Sequence, residues 1–74
     1  MGRLRVLSGA EVIRIMEDHD FTQVRQVGDH VSMQRKVSDT TITVPVPLHR
    51  ELAIGTLQSI IRMSRLPKGL FEVP

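Results

Sequence analysis

The spacing of the hydrophobic residues changes twice along the chain, and this constrains the fold more than any other feature. Between residues 8 and 19 apolar side chains recur at helical spacing, between 21 and 47 polar and apolar residues mostly alternate, and from 55 to 66 the helical spacing returns. A spacing of three to four residues is typical of an amphipathic helix, and alternation is typical of a strand with one buried face. The sequence therefore predicts a helix, a strand-rich segment and a second helix.

The predicted first helix begins at Ser8 and runs to about His19. Ser8 and Glu11 have the spacing of a capping box, in which each side chain bonds the backbone N–H of the other residue. Val12 and Met16 recur at helical spacing and predict its inward face. His19 ends this helix, where a cation is favourable, so we interpret it as a structural residue.

Two turn signals, at residues 28–29 and 38–39, divide the middle of the chain into three predicted strands. The first strand is predicted to be half-exposed, with Thr22, Val24 and Gln26 alternating with Phe21, Gln23, Arg25 and Val27. The predicted inward residues of the other strands are Val31, Met33, Arg35 and Val37, then Ile42, Val44 and Val46. Pro45 has no N–H to donate, so the third strand should lie at an edge of the sheet.

The second helix is predicted to run from Gly55 to Leu66, where Pro67 stops it. Its inward residues are Leu57, Ile60 and Ile61, and Leu70 and Phe71 follow as a short covering turn. Only one face of each strand is apolar, so both helices are needed on that one face of an antiparallel three-stranded meander to cover it. We therefore expect an α+β fold of α-β-β-β-α order, in one domain spanning residues 1–74.

The composition narrows the classes of function. The chain has 10 Lys and Arg against 8 Asp and Glu, a pI near 9.9 and no cysteine. This balance is compatible with a phosphate-bearing partner, and the lack of cysteine excludes disulfides, thiolate nucleophiles and Cys-based zinc sites. The only aromatic residues are Phe21 and Phe71, which argues against modules that stack single-stranded bases on exposed rings. With no apolar run of about 20 residues, we expect a soluble, cytoplasmic protein without a membrane contact.

Two histidines are candidates for proton chemistry, because imidazole is the side chain whose ordinary pKa suits proton transfer near pH 7. His30 directly follows the first predicted turn, and His49 follows the third strand. On spacing alone, a surface role for His30 and a backbone-bonding role for His49 stay open. The three histidines have no metal-ligand spacing and no acidic cluster accompanies them, so we expect neither a metal nor a cofactor.

The residues around these histidines resemble a known protein family. The matching elements are Leu7-Ser8-Gly9, Gly28-Asp29-His30, Val44-Pro45-Val46-Pro47-Leu48-His49 and Gly55-Thr56-Leu57. Over nearly the whole chain, this pattern resembles the HicA family of small messenger-RNA interferase toxins. The resemblance implies a fold like that of double-stranded-RNA-binding domains, metal-independent cleavage of mRNA, a HicB-type antitoxin as partner, and His30 as the catalytic residue.

Other residues are candidates for contacts with the RNA. They are Gly28, Arg25, Lys36, His49 and Arg50. Asp29 departs from the family pattern, in which Ser or Gly is commoner, and a carboxylate there repels an RNA phosphate unless it points away or orients the imidazole. His49 also departs, since it lies two residues further along the chain than in the shorter family form.

Two other functions stay open at this point. One is a non-catalytic RNA-binding module with the same fold. The other is an interaction domain, in which Thr41 and Thr43 belong to an exposed strand edge that a partner strand extends.

Overall fold

The computed structural model describes residues 2–74, which form two helices and three strands. The elements are α1 (Gly9–Glu17), β1 (Thr22–Val27), β2 (His30–Val37), β3 (Thr40–Pro47), α2 (Ile54–Ser64) and a 3₁₀ turn (Lys68–Phe71). This order confirms the predicted α-β-β-β-α fold. Helix α1 ends two residues before His19, since the chain turns there and Asp20 adopts a left-handed φ of 73°. Helix α2 begins one residue before the predicted Gly55.

The capping box predicted at the start of α1 is present. The Glu11 N–H donates to Ser8 Oγ at 3.1 Å, and the Ser8 N–H donates to Glu11 Oε1 at 2.8 Å. The bond from the Ser8 backbone is the main reason that the pKa of Glu11 lies below its ordinary value. These contacts fix where α1 begins, and Gly9 is its first residue.

The sheet is antiparallel with the order β1-β2-β3, so β1 and β3 are its edges. Pro45 therefore lies in an edge strand, as predicted. Across the β2–β3 ladder His30 pairs with Pro47, and Ser32 pairs with Pro45. Directly paired residues lie on the same face, so these four residues share one side of the sheet, opposite the buried valines. We call this side of the sheet the open face.

Strand β1 differs from the alternation predicted for it. Its pairing with β2 shifts between Gln23 and Arg25, so Val24 is an extra residue that forms a bulge. Every residue of β1 is exposed. The predicted alternation is wrong beyond Val24, because one extra residue reverses the faces of those that follow. As a result, Arg25 and Val27 lie on the open face beside His30.

The hydrophobic core lies between the helices and one face of the sheet. Its main members are Val31, Met33, Ile42, Val44 and Val46 from the strands, with Val12, Met16, Leu57 and Ile60 from the helices. Arg35 was predicted on the same face as Met33 but is only half-buried, because full burial of a charged guanidinium is costly. The core therefore confirms the predicted inward faces of β2 and β3 except at this charged position and at Val37, which is also half-buried.

The segments that flank the helices pair with each other. An isolated bridge joins Leu4 and Glu72, and the Arg5 N–H donates to the Phe71 carbonyl at 2.9 Å. This pairing holds the 3₁₀ turn against the core, where Phe71 is fully buried and Leu70 is half-buried. The predicted covering turn after α2 is thus confirmed.

Candidate active site

The β1–β2 hairpin presents His30 at the first position of β2. The turn consists of Gly28 and Asp29, and Gly28 has a φ of 59°, which L side chains rarely adopt. A glycine at the first turn position is typical of tight hairpins with matching twist. The His30 side chain is 58% exposed. The turn therefore places an accessible imidazole, that of His30, at the end of the sheet.

The backbone around His49 is fixed by two other segments. The Leu48 N–H donates to the Asp29 carbonyl at 2.6 Å, and the Gly9 N–H donates to the His49 carbonyl at 2.9 Å. A Cβ on Gly9 would collide with the Pro47 carbonyl oxygen, so only glycine allows this close approach of α1 to the end of β3. His49 is thus held beside the β1–β2 turn, although it lies outside any strand or helix.

The Asp29 carboxylate lies between the two imidazoles. Its Oδ1 is 2.9 Å from His30 Nδ1, and its Oδ2 is 3.3 Å from His49 Nε2. The hydrogen bond from His30 is the main cause that lowers the pKa of Asp29, and the charges of both histidines lower it further. An ionised carboxylate only accepts hydrogen bonds, so Nδ1 of His30 carries a proton. Asp29 therefore points toward the histidines and orients His30.

A groove of about 370 Å³ runs from the two histidines along α2 and the free edge of β3. It is lined by His30, Pro45, Pro47, His49, Thr56, Ser59, Ile60 and Met63. Among the described residues, neither Asp, Glu, Lys nor Arg lines it. The two imidazoles are therefore the titratable side chains of its lining, and the other lining side chains are apolar or neutral and polar.

The predicted RNA-binding residues lie at different distances from the histidines. Arg25 is a diagonal neighbour of His30 on the open face. Arg50 directly follows His49 and is exposed. Lys36 shares the open face but lies near the other end of β2, six residues or roughly 20 Å from His30 at the usual rise of a strand. Arg25 is thus a neighbour of His30 by strand pairing and Arg50 a neighbour of His49 along the chain, whereas Lys36 is a neighbour of neither.

His19 lies apart from this site. Its Nδ1 is 2.8 Å from the Ile15 carbonyl oxygen near the end of α1, which agrees with the structural role predicted for it. Within residues 2–74, no group of three or more His, Cys, Asp or Glu side chains is placed to hold a metal ion. No helix of that region is long and apolar enough to cross a membrane.

The wall of the groove on α2 was not predicted as part of a site. Thr56, Ser59 and Met63 recur at helical spacing beside the inward residue Ile60. That spacing is the only signal of a shared face in the sequence, and it is equally typical of the margin of any amphipathic helix.

Comparison with known protein families identifies a family for most of the chain. A family model described as the HicA toxin of bacterial toxin-antitoxin systems matches residues 9–66, which is most of the chain. The match includes the hairpin, both histidines and the whole of α2. No curated protein and no solved structure matches. The chain therefore belongs to the HicA family of bacterial toxins.

Proposed function

We propose that this toxin is a metal-independent endoribonuclease that cleaves messenger RNA, with His30 as its general base. The observation that carries the proposal is the bond between His30 Nδ1 and Asp29, which leaves Nε2 of an exposed imidazole free for a substrate. Family membership supports the choice of RNA as the substrate, since it places the chain among toxins of toxin-antitoxin systems.

RNA cleavage suits a site of this kind because RNA carries its own nucleophile. Nε2 of His30 removes the proton of a 2′-OH, and the 2′ oxygen then attacks the adjacent phosphorus. The bond from phosphorus to the 5′ oxygen breaks and that oxygen takes up a proton, which leaves a 2′,3′-cyclic phosphate and a 5′-hydroxyl. A positioned base and a held phosphate are sufficient for the first step, and neither requires a metal ion.

The RNA backbone needs cations beside the histidines, and two arginines are well placed to supply them. Arg25 lies on the open face next to His30, and Arg50 follows His49. Each would neutralise a phosphate near the scissile bond. The backbone at Gly28 has open space around it, which allows an RNA strand to approach it closely. Lys36 would contact only a longer RNA that extends along β2.

The toxin family implies an antitoxin partner, and we propose one of the HicB type. The natural target for inhibition is the surface around His30, because the imidazole, Arg25 and the groove are all accessible there. An antitoxin that covers this surface would exclude the RNA without changing the fold.

The purified protein is expected to cleave RNA at an undiminished rate in excess chelator. The physical reason is that the proposed chemistry is carried by imidazole, not by a bound cation. The measurement is the cleavage rate with and without the chelator, with a His30→Ala preparation as the control for contaminating nucleases. Loss of cleavage in chelator, restored by one divalent metal, would contradict the mechanism. RNA binding without cleavage under any condition would instead favour a non-catalytic binding module.

A further inference from the structure

His49 lies in the same groove as His30 and contacts the same carboxylate, that of Asp29. His30 and His49 line the same groove. His30 contacts Asp29 through Nδ1, and His49 contacts it through Nε2. Each ring therefore has its other nitrogen, Nε2 of His30 and Nδ1 of His49, available on the side away from the carboxylate. The site presents two imidazoles rather than one.

A cleaving site needs a proton donor as well as a base, because the departing 5′ oxygen is a strongly basic alkoxide. Arg25 and Arg50 are poor donors, since a guanidinium does not release its proton in proteins. Lys36 lies too far along β2. Of the described residues that line the groove, only the two histidines carry imidazole, the side chain whose ordinary chemistry suits proton transfer near pH 7.

We propose that His49 is the general acid of this site and that Asp29 is a positioning residue that holds the acid and the base together. The proposal rests on the proposed ribonuclease function and assigns the proton donor for it. His30 gains one proton from the 2′-OH, and His49 gives one to the 5′ oxygen as the P–O bond breaks. Protons balance within the step, and both exposed rings re-equilibrate with water before the next turnover.

The surroundings of His49 suit this role. Within residues 2–74, the only acidic side chain that lies within 4.0 Å of a His49 ring nitrogen is Asp29. The walls of the groove on β3 and α2 contribute Pro45, Pro47, Thr56, Ser59, Ile60 and Met63, none of which carries a charge. When His49 is protonated, its charge is therefore balanced by the Asp29 carboxylate, which remains ionised because its pKa is lowered.

One structural role of His49 uses only its backbone. The His49 carbonyl accepts the bond from the Gly9 N–H, and this bond does not need an imidazole. His49→Gln keeps that contact and a polar side chain of similar size, so it separates the two roles. His19→Gln is the matched control, since it removes a histidine that lies outside the groove.

The test uses two versions of one RNA oligonucleotide that contains a mapped cleavage site. One has oxygen and the other has sulfur as the 5′ bridging atom of the scissile bond. A thiolate leaves without protonation, since thiols have pKa values near 8.5. We expect His49→Gln to lower kcat about 10²- to 10⁴-fold on the oxygen substrate and less than about tenfold on the sulfur substrate. His30→Gln should cleave both substrates slowly, and His19→Gln should cleave neither substrate more slowly than the wild type does.

The pH profile gives a second readout that a structural role would not move. A base and an acid together produce a bell-shaped dependence of kcat/KM on pH. We expect the wild type to show both limbs and His49→Gln to lose the falling alkaline limb. An equal loss on the two substrates would overturn the assignment of the acid while leaving the ribonuclease function intact. No cleavage of either substrate by the wild type would overturn the proposed function itself.

Asp29→Asn tests the positioning role separately. The amide keeps the shape of the side chain but loses the charge that both imidazoles face, so kcat should fall, by up to about 10⁴-fold, the loss that such a change causes beside a buried catalytic histidine. KM should not rise, because removal of a negative charge lessens repulsion of RNA. Asp39→Asn is the matched control, since Asp39 holds the same position in the β2–β3 turn and is exposed. Equal effects of the two substitutions would contradict a specific role for Asp29.

Discussion

His30→Ala should lower the rate of RNA cleavage about 10²- to 10⁴-fold, which is the usual contribution of positioned acid–base catalysis. The stability of the fold should hardly change. The His30 side chain is 58% exposed on the open face, so its loss leaves no cavity in the core. The paired measurements are single-turnover cleavage of RNA and thermal unfolding, and the same substitution should relieve growth inhibition in cells. Activity and stability should therefore separate at this residue.

The control for this experiment is His19→Ala, which removes a histidine outside the groove. It should retain cleavage, even if the end of α1 becomes less stable. If His30→Ala kept more than roughly a tenth of the wild-type rate, His30 would not be the base. If His49→Ala abolished cleavage while His30→Ala left it intact, the roles of the two histidines would have to be exchanged.

Phe71→Ala should destabilise the protein by about 3–5 kcal/mol, the usual cost of truncating a buried phenylalanine. Phe71 is fully buried although it lies beyond residues 9–66, which the family model matches. At roughly 0.05–0.15 kcal/mol per residue, a chain of 74 residues has a total stability of only about 4–11 kcal/mol. A large part of the variant should therefore be unfolded at moderate urea concentrations.

Urea unfolding measures this loss, and Val73→Ala is the matched control. Val73 lies two residues away and is 43% exposed, so its truncation should change the stability by less than about 0.5 kcal/mol. A loss below about 1 kcal/mol for Phe71→Ala would mean that the C-terminal turn does not belong to the cooperative core.

Most of the fold follows from local sequence patterns. The capping box at Ser8 and the turns at 28–29 and 38–39 each act over a few residues, so they could be predicted with their boundaries. The bulge at Val24 could not be predicted, because it depends on how β1 pairs with β2 and no residue type in β1 indicates it. That bulge decides which side chains of β1 stand beside His30.

Two side chains of the candidate site could be selected from the sequence, but the geometry of the site could not be predicted. His30 and His49 could be selected because imidazole suits proton transfer and because they match family positions. The contact that joins them through Asp29 requires the end of β3 to reach the β1–β2 turn, which the Leu48 and Gly9 backbone bonds achieve. Such contacts between distant parts of the chain have no local sequence signal. The groove along α2 was missed for the same reason.

The most direct test of the account is the chemical identity of the RNA ends after cleavage in excess chelator. Mass spectrometry of the products distinguishes attack by the 2′-OH from attack by water. We expect a 2′,3′-cyclic phosphate on one fragment and a 5′-hydroxyl on the other, with both products formed about 10²- to 10⁴-fold more slowly by a parallel His30→Ala preparation. A 3′-hydroxyl and a 5′-phosphate would show that water attacks the phosphorus, and would contradict the assignment of His30 as the base for the 2′-OH.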